Sequence, residues 1–476
     1  MSSLLVPAYV NGEFTTSGET FIKRNPINGN VSALVAEADT TEVDFAVTAA
    51  RQAYEAAWGK STVAQRSFAL HRLGNVMEAR REDLINTIVS DTACADALAR
   101  TMDVSRSISA LRFYADAVSV AQDEATFTPT GDGGGAQSFT RRKSLGVVGI
   151  LSGATLPLFS AVSKLAPALA CGNTVVLKPS EFSPAAAVLL AQCAHESGLS
   201  PGVFNVVHGY GPRAAGAALA GHTDLSVLAL VGRASTAQAL RISAGAHCAR
   251  EVFELGGKSI AIVCADADFG KSLAGVFKAT FFNAGQICGS PDLVFVERPI
   301  FAKFVEAMRA AASRLQLAPM ISPAHRDRVL AHVRAARERN ATVVCGGGIP
   351  KLGGERDNGY HLQATIMSGG DSDALALSEE VFGPFCHVLP FERDADITAL
   401  LAKAPPLYAC SLWSNSLSRA HGFAPQLRAA TVWVNTWLLH DARAPRTLAN
   451  HLQRGSEGAR SMFEAFSIQT NVVIKA

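Results

Sequence analysis

Leu145-Gly146-Val147-Val148-Gly149-Ile150-Leu151 is a short apolar run, and it predicts a buried β-strand. After this run, segments with helical and strand-like patterns alternate along the chain. The predicted order is a helix at 161–170, a strand at 173–177, a helix at 184–197 with Ser183 as its N-cap, a strand at 203–207, a helix at 214–220 and a strand at 226–230. This alternation predicts a parallel, doubly wound α/β sheet of the Rossmann type, in which nucleotides bind at the strand ends.

The flanking sequence adds helices before this sheet and a second α/β unit after it. Before it, apolar residues recur at helical spacing over 43–58, 64–90 and 104–120, and the residues at 10–14 predict a hairpin. After it, the predicted elements are a strand at 259–264, a helix at 269–282, a strand at 293–296, a helix at 325–337 and a strand at 342–345. The residues at 466–474 alternate like an edge strand, and such a strand often pairs with another subunit.

Composition limits the classes of function. The chain has 476 residues, of which 48% are hydrophobic, and this is enough for more than one domain. The net charge is +2 and the basic residues are scattered, so nucleic acid is not an expected partner. We expect no membrane partner, because no apolar span is long enough for a transmembrane helix, and we see no secretory signal. The 9 cysteines are dispersed and the histidines lack ligand spacing, so we expect a cytoplasmic protein with neither a disulfide framework nor a metal site.

One cysteine lies in a loop suited to nucleophilic chemistry. In Gly285-Gln286-Ile287-Cys288-Gly289, glycines let backbone N–H groups approach the thiol of Cys288. Upstream, Glu254-Leu255-Gly256-Gly257-Lys258 places a glutamate at a strand end, where it can act as a base. Together they predict attack on a carbonyl followed by hydrolysis. The alternative is an inert cysteine of the core, which is the usual state of a free thiol.

Two segments are candidate nucleotide contacts. Lys178-Pro179-Ser180-Glu181 ends a predicted strand, where a lysine and an acid can hold the hydroxyls of an adenosine ribose. An ion pair on a solvated loop is the alternative for this segment. Gly209-Tyr210-Gly211, followed by Gly216, resembles a G-x-G-x-x-G loop with the wrong final spacing, which favours an ordinary strand-to-helix turn.

Over nearly its whole length, the chain resembles the aldehyde dehydrogenase superfamily. The motifs that carry the resemblance are Lys164-Leu165-Ala166-Pro167-Ala168-Leu169, Gly172-Asn173-Thr174-Val175-Val176-Leu177-Lys178-Pro179-Ser180-Glu181, Pro201-Gly202-Val203-Phe204-Asn205-Val206-Val207, Glu254-Leu255-Gly256-Gly257-Lys258, Gly285-Gln286-Ile287-Cys288 and Glu379-Glu380-Val381-Phe382-Gly383-Pro384. Within the superfamily it is most similar to the 2-aminomuconic and 2-hydroxymuconic semialdehyde dehydrogenases. This narrower resemblance rests on Leu111-Arg112-Phe113-Tyr114-Ala115, Val432-Trp433-Val434-Asn435-Thr436-Trp437-Leu438 and Gly455-Ser456-Glu457-Gly458-Ala459.

The resemblance implies NAD-dependent oxidation of an aldehyde to its acid. Cys288 would attack the aldehyde to give a thiohemiacetal, hydride transfer to NAD would leave a thioester, and Glu254 would activate the hydrolytic water. The expected substrate is a small semialdehyde, or another aromatic or unsaturated aldehyde. In the semialdehyde group, the arginine that matches Arg112 binds the substrate carboxylate. A surface ion pair on a helix is the alternative role for Arg112.

The same resemblance implies a coenzyme site and an oligomer. Lys178 and Glu181 would hold the adenosine ribose, and an acid there disfavours a 2′-phosphate, so NAD is expected rather than NADP. Glu380 and Phe382 would position the nicotinamide ribose and ring. The remaining expected coenzyme contacts are Ser180, Gly211, Gly232, Arg233 and Leu255. The expected fold has a coenzyme-binding domain at 1–120 and 140–254, a catalytic domain at 255–445, and a β oligomerisation arm at 121–139 and 446–476 that builds a homodimer or homotetramer.

Four departures from the family pattern affect the expected chemistry. Thr155 stands where the family has an asparagine that donates to the developing oxyanion. Arg233 replaces a serine that touches the coenzyme pyrophosphate, and it could either pair with phosphate or exclude NAD. Pro445-Arg446-Thr447-Leu448 replaces Pro-Phe-Gly-Gly near the substrate mouth, and His440 replaces a second arginine for the substrate carboxylate. Two alternatives therefore stay open: a cofactor-free thioester or ester hydrolase that uses the same thiol and glutamate, and a non-catalytic binding protein.

Overall fold

A computed structural model of the chain describes residues 4–16, 18–121, 123–131, 134–211, 214–245, 247, 250–370, 379–447 and 456–475. The architecture is α/β, and most strands belong to two large sheets. Buried apolar side chains fill the space between each sheet and the helices that cover it. None of the helices in these ranges is both long and apolar enough to cross a bilayer.

The first sheet contains the strands that the sequence predicts around Leu151. From one edge to the other, its strands are Glu251–Leu255, Leu225–Gly232, Val147–Leu151, Thr174–Lys178, Phe204–Val206, Ala8–Val10 and Glu13–Thr15. The first five run parallel, and the last two form the predicted hairpin, with Asn11 and Gly12 in left-handed conformations. The register aligns Lys178, Leu151 and Leu230 in one row at the carboxyl ends. The prediction of a doubly wound α/β sheet is therefore confirmed.

One long helical prediction is divided in the structure. The apolar pattern over 64–90 forms two helices, Val63–Ala79 and Arg81–Thr92, because Arg80 leaves helical geometry. A π-helical turn at Ala99–Val104 leads into the helix Ser105–Ser119. The other helices that pack against the first sheet are Thr40–Ala56, Pro157–Ala170, Ala185–Glu196, Ala215–Ala220 and Ala234–Ala244.

Ser183 does not cap the helix Ala185–Glu196. The N-cap position belongs to the next residue, a proline, and the Ser183 hydroxyl is buried without a hydrogen-bond partner in the described part of the chain. Instead, Asp91 Oδ2 accepts the Ala185 N–H at 3.0 Å. Asp91 is itself paired with Lys23 (Nζ–Oδ1 2.8 Å), and both side chains are almost fully buried. The N-cap prediction was wrong because the capping group comes from a residue distant in sequence.

The second sheet is the α/β unit expected after residue 255. Its strands are, in order, Thr342–Cys345, Thr365–Ser368, Phe385–Phe391, Leu293–Glu297, Ser259–Val263, Leu407–Trp413 and Ala429–Val434. All of its pairs are parallel except the one at the first edge. The helices of this half are Phe269–Phe281, Arg298–Ala312, Pro323–Glu338, Asp394–Ala402 and Leu417–Phe423. The helix Ala459–Ala465 packs instead into the core of the first half, where Phe463 contacts Tyr114.

A three-stranded antiparallel sheet, here called the arm sheet, consists of Ser467–Lys475, Gly135–Ser144 and Ala125–Pro129 in that order. Ser467–Lys475 pairs with Gly135–Ser144 along its whole length, and its other edge has no strand partner within the described residues. Gly135–Ser144 crosses the domain boundary predicted at 139, and the domain limits stay predictions. The remaining strands are Leu4–Val6, Val31–Glu37 and Glu19–Arg24 in one small sheet, and Arg446–Thr447 with Ser456–Glu457 in another.

Candidate active site

The loop that carries Cys288 depends on a close backbone contact. Gly285 adopts a positive φ of 68 in this loop. A Cβ at Gly285 would lie 2.0 Å from the Gly383 carbonyl oxygen, so only glycine permits the approach. The Gln286 side chain also holds the loop, through hydrogen bonds to backbone groups of 319–321. The thiol motif therefore packs directly against the segment that ends in Gly383.

Cys288 is a thiol in the resting site. The sulfur donates a hydrogen bond to the Tyr408 hydroxyl, with 2.9 Å between Sγ and Oη. Burial, and next the charge of Glu254, raise the pKa of Cys288 to about 12. Arg446 and the Tyr408 hydrogen bond act in the opposite direction. At neutral pH this nucleophile therefore needs a group that accepts its proton.

Glu254 lies on the strand Glu251–Leu255, and three donors surround its carboxylate. Lys164 Nζ donates to Oε2 at 3.0 Å, and Arg446 Nη2 donates to Oε1 at 2.8 Å. The Tyr408 hydroxyl donates to the same Oε1 over a longer distance of 3.5 Å. Lys164 is 1% exposed, and this carboxylate contributes to the charge compensation of its buried ammonium group. Two cations thus balance the charge of Glu254, and Tyr408 links it to the thiol.

Sequence reasoning does not identify three of these neighbours as site residues. Lys164 belongs to a family motif without a role of its own, and Arg446 marks only a departure from the family. Tyr408 lies in the strand Leu407–Trp413, which reads as core, and no motif marks its hydroxyl. Of the three, only Arg446 could have been predicted from the sequence, because it is a charged residue in a segment expected to line the substrate mouth.

The expected adenosine site lies at the carboxyl edge of the first sheet. Lys178 ends its strand, and its Nζ lies 3.4 Å from Glu181 Oε2. Burial lowers the pKa of Lys178, and Glu181 opposes the shift. Ser180 Oγ accepts the Phe182 N–H at 3.3 Å. The structure therefore brings Lys178, Ser180 and Glu181 together, and the lysine is buried, unlike a residue of a solvated loop.

The parallel register of the first sheet places Glu254 near the same carboxyl edge. Lys178 pairs with Leu151 on the neighbouring strand, and at the far side of the sheet Gly232 pairs with Leu255, the residue after Glu254. Leu255 is fully buried, so its side chain provides packing and no polar contact. The predicted base and the predicted adenosine site therefore share one edge of the sheet.

Gly211 lies in the turn between Phe204–Val206 and Ala215–Ala220. A Cβ on Gly216 would lie 2.5 Å from the Gly211 carbonyl oxygen, whereas a Cβ on Gly211 would meet open space. The glycines thus permit close packing within a strand-to-helix turn, which is the ordinary role that their spacing favours. A coenzyme contact at Gly211 stays a prediction.

Glu380 lies against the glycine-rich turn that follows the base. A Cβ on Gly256 would be only 2.3 Å from the Glu380 carboxylate. Burial, and next the charge of Asp292, raise the pKa of Glu380 to about 8. Lys258 and Arg233 oppose this shift. Glu380 is therefore mostly protonated at neutral pH, and it can donate as well as accept a hydrogen bond.

Phe382 and Arg233 lie near Glu380. Phe382 has a left-handed backbone with φ 52, and its ring stacks on His325 with 5.5 Å between centroids. His325 is buried, and neither ring nitrogen has a hydrogen-bond partner among the described residues. Burial lowers the pKa of Arg233, which directly precedes the helix Ala234–Ala244, and Glu380 opposes this shift. A buried imidazole next to a guanidinium and a carboxylate fits contact with a polar coenzyme.

The two predicted carboxylate ligands lie in different surroundings. Arg112 is 41% exposed, and its described partners are Glu78 at 3.5 Å and Asn75 at 3.4 Å. These contacts match the ion pair on a helix that is its alternative role. His440 is exposed, with its ring 5.6 Å from that of Trp433, which belongs to the apolar cluster beside the thiol. Substrate binding by Arg112 or His440 stays a prediction.

Thr155 lines a small cavity beside the thiol loop. Asp103, Asn283 and Gln286 contribute to the same lining. Burial raises the pKa of Asp103 to about 7, so this carboxyl group is close to half protonated at neutral pH. Among the described contacts, no hydrogen bond joins the Thr155 hydroxyl to Cys288. The role of Thr155 as an oxyanion donor therefore stays a prediction.

Apolar side chains, here called the apolar wall, pack against one side of the thiol. Trp433, Trp437 and Leu438 pack together with Cys288 in one cluster. Trp437 Nε1 donates to the Gly289 carbonyl at 2.7 Å, which ties this wall to the thiol loop. Two indole rings thus contribute an apolar surface next to the thiol.

One group of possible metal ligands is present in the described part of the chain. Cys264, Asp266 and Glu297 have ligand atoms within 4.8 Å of one another. Arg419 lies 3.3 Å from Asp266 and 3.0 Å from Glu297, so a guanidinium already balances these acids. We therefore assign no metal to this group.

Known proteins resemble this chain over its full length. The model of the "Aldehyde dehydrogenase family" matches residues 14–471. A 2-aminomuconic 6-semialdehyde dehydrogenase from a Pseudomonas species is 40% identical over 477 residues, which cover 98% of this chain and 97% of that protein. A 2-hydroxymuconic semialdehyde dehydrogenase, also from Pseudomonas, is 38% identical over 479 residues, with coverages of 98% and 99%.

Solved structures agree with the family match. The NAD+ complex of an aldehyde dehydrogenase from Bacillus cereus superposes with a TM-score of 0.92 at 29% identity, covering 98% of this chain and 96% of that one. The two large sheets and the arm sheet together thus form a fold that solved relatives share. The resemblance inferred from the motifs, including the match to muconic-semialdehyde dehydrogenases, is confirmed by these comparisons.

Proposed function

We propose a substrate and a coenzyme for this chain, which belongs to the aldehyde dehydrogenase family. It oxidises a carboxylate-bearing, unsaturated or aromatic semialdehyde to the acid, and NAD is the coenzyme. The family makes the chain an oxidoreductase that acts on aldehydes with NAD(P). One observation supports the proposal most. The Tyr408 hydroxyl is hydrogen-bonded to both Cys288 and Glu254, and Glu254 lies at the carboxyl edge of the parallel first sheet, where nucleotides bind in folds of this type. A thiol and a carboxylate in one site suit the two covalent stages of the reaction, attack and hydrolysis.

The chain's own residues perform these two stages. In the first, Cys288 Sγ bonds to the aldehyde carbon and the carbonyl electrons move onto oxygen. The bound nicotinamide coenzyme supplies the acceptor for the hydride of that carbon. In the second, Glu254 takes a proton from water as the water attacks the thioester, and the C–S bond breaks to release the acid. Lys164 and Arg446 balance the charge of Glu254 when it is ionised.

The proposed coenzyme is NAD. Lys178 and Glu181 would bind the adenosine ribose hydroxyls, and the carboxylate of Glu181 would repel a 2′-phosphate. Glu380 would bind the nicotinamide ribose, and Phe382 would pack against the ring. In this proposal Arg233 pairs with the pyrophosphate, which is an anion placed at the start of a helix.

The proposed substrate class follows from charge and shape around the thiol. Trp433 and Trp437 belong to the apolar wall. The guanidinium of Arg446 lies 2.8 Å from the Glu254 carboxylate. An unsaturated chain that ends in a carboxylate matches both features. The two Pseudomonas relatives are named for 2-aminomuconic and 2-hydroxymuconic semialdehydes, which supports the same class.

Steady-state NADH formation tests the proposal. 2-Hydroxymuconic semialdehyde and a neutral aldehyde are compared as substrates, for the wild type, Cys288→Ala and Cys345→Ala. Cys345 is another free cysteine, on the edge strand of the second sheet, and serves as the matched control. We expect Cys288→Ala to lose about 10⁴-fold or more in kcat and Cys345→Ala to keep its activity. Full NADH production by Cys288→Ala would rule out the thiol mechanism.

A second candidate is hydrolysis of esters or thioesters without a coenzyme. The hydrogen-bonded thiol, hydroxyl and carboxylate need no nucleotide for this reaction, which is the observation that favours it. Turnover of p-nitrophenyl acetate without NAD, combined with no detectable NAD or NADP binding by calorimetry, would support this candidate. Absence of ester turnover would remove it.

A further inference from the structure

A hydrogen-bonded chain runs from the thiol to the base through one tyrosine. Cys288 Sγ donates to Tyr408 Oη at 2.9 Å, and Tyr408 Oη donates to Glu254 Oε1 at 3.5 Å. Both hydrogen bonds point in the same direction, as a proton relay requires. We infer that Tyr408 is a catalytic residue, which passes the proton of the Cys288 thiol to Glu254 while the sulfur attacks the aldehyde.

The surrounding fold holds the Tyr408 hydroxyl in place. Tyr408 is 2% exposed, and its N–H donates to the Lys258 carbonyl at 2.8 Å. The Arg446 guanidinium lies 5.2 Å from the ring centroid, which is a cation–π distance. Trp433 belongs to the same apolar cluster. The ring is thus confined, and the hydroxyl stays near the thiol.

A purely structural role would not need the hydroxyl. Phenylalanine would fill the same space in the apolar cluster, and a buried tyrosine hydroxyl requires hydrogen-bond partners. Here that hydroxyl is hydrogen-bonded to the reacting sulfur and to the carboxylate of the base. The hydroxyl therefore lies between the two groups that must exchange a proton.

The resting site explains why the proton moves during attack and not before it. The pKa of Cys288 is raised to about 12, chiefly by burial, so a free thiolate is unfavourable. Glu254 is bound by Lys164 and Arg446, and its protonation would weaken both ion pairs. During attack, negative charge leaves the sulfur for the carbonyl oxygen, and the thiol proton becomes more acidic.

Protons and electrons balance in this step. The S–H bond breaks as the S–C bond forms, and the π electrons of the C=O bond move onto oxygen. The thiol proton bonds to Tyr408 Oη, while the original hydroxyl proton bonds to Glu254 Oε1. Tyr408 is neutral before and after, and Glu254 ends protonated. Glu254 then releases this proton to solvent before it acts as the base in hydrolysis, and the relay itself needs no oxidant.

The rate of Cys288 alkylation against pH tests the relay, with iodoacetamide as the probe and mass spectrometry to assign the site. The inference rests on the proposed thiol chemistry, but this assay needs neither aldehyde nor coenzyme, so the two can fail separately. We expect Tyr408→Phe to react about 10²-fold more slowly near neutral pH. At alkaline pH its rate should approach that of the wild type, because hydroxide then removes the proton. Tyr360→Phe, at a buried tyrosine of another cluster, is the matched control.

Two alkylation results with Tyr408→Phe would overturn the relay. One is an equal alkylation rate in Tyr408→Phe and the wild type at every pH. The other is a loss of the same size at all pH values, which indicates a structural defect. A measurement on the wild type makes the test independent of the variant's folding: in H2O–D2O mixtures, the alkylation rate should curve with deuterium fraction because two protons move together. A linear dependence would contradict a two-proton relay.

Discussion

Among single residues, Arg446 places a cation beside both the base and the relay tyrosine. It stands at a family phenylalanine, yet its guanidinium lies 2.8 Å from the Glu254 carboxylate and 5.2 Å from the centre of the Tyr408 ring. A cation so close to the base can also bind a carboxylate of the substrate. The carboxylate of a semialdehyde acid would then compete with Glu254 for this guanidinium. Binding of the substrate would thereby free the Glu254 carboxylate from Arg446.

Arg446→Phe, which restores the family residue, separates the two classes of aldehyde. We expect kcat/KM for carboxylate-bearing aldehydes to fall by about 10²-fold, because a charge-assisted contact is lost. For neutral aldehydes the change should stay below about tenfold. Arg443→Phe is the control, since Arg443 is exposed and paired with Asp441. Equal losses for both classes of aldehyde in Arg446→Phe would contradict a role in recognition.

Glu380 gives coenzyme binding a pH dependence. Burial and the charge of Asp292 raise its pKa to about 8, so the group is mostly protonated below that pH. An ionised carboxylate accepts hydrogen bonds from both ribose hydroxyls and binds them better than the neutral acid, so NAD should bind more tightly as the pH rises toward and past 8, and its binding should release protons at neutral pH. Calorimetry in buffers of different ionisation enthalpy measures this release. An unchanged pH dependence in Glu380→Gln would show that another group is responsible.

Among the secondary-structure elements, the helix Ala185–Glu196 offers a direct test of capping. Asp91→Ala should lower the free energy of unfolding by about 3–5 kcal/mol, because it leaves the buried Lys23 ammonium unpaired and removes the acceptor for the Ala185 N–H. Ser183→Ala, at the cap that the sequence favours, should change it by less than about 0.5 kcal/mol. Urea denaturation measures both values. A larger loss in Ser183→Ala than in Asp91→Ala would contradict the observed cap.

Local sequence patterns predict the elements well and the contacts between them poorly. The strands of the first sheet and the hairpin follow from hydrophobic periodicity and turn residues, which act over short distances. The cap from Asp91 joins segments that are far apart in sequence, and no local pattern encodes it. The same holds in the site. Cys288 and Glu254 lie in recognisable motifs, but Tyr408 is one tyrosine in an apolar strand, and its hydroxyl matters only because the fold brings it to the thiol.

For the molecule as a whole, the arm sheet is the surface most suited to assembly. Its outer strand, Ser467–Lys475, leaves an edge without a partner in the described chain, and Val473 and Ile474 are 58% and 53% exposed on it. Exposed apolar residues on an open edge are usually covered, because an uncovered edge invites aggregation. We therefore expect a second copy of the chain at this edge, in a homodimer or homotetramer.

Charge on this strand should disrupt the assembly. Val473→Lys should shift the molecular mass in solution from an oligomer toward the monomer, as measured by light scattering after size exclusion, because a lysine is unfavourable in an apolar interface. Ile242→Lys is the control, at an isoleucine that is 84% exposed on the helix Ala234–Ala244. An oligomer that persists in Val473→Lys and dissociates in Ile242→Lys would place the interface elsewhere.

The most direct test of the central claim, that Cys288 carries the acyl group during NAD-dependent oxidation, is rapid acid quenching. The enzyme is mixed with NAD and 2-hydroxymuconic semialdehyde, quenched over the first turnover, and its peptides are weighed by mass spectrometry. We predict an acyl adduct on the Cys288 peptide that forms at the rate of NADH production and is absent from Cys288→Ala. NADH formation without an adduct on Cys288, or with an adduct on another residue, would contradict this mechanism.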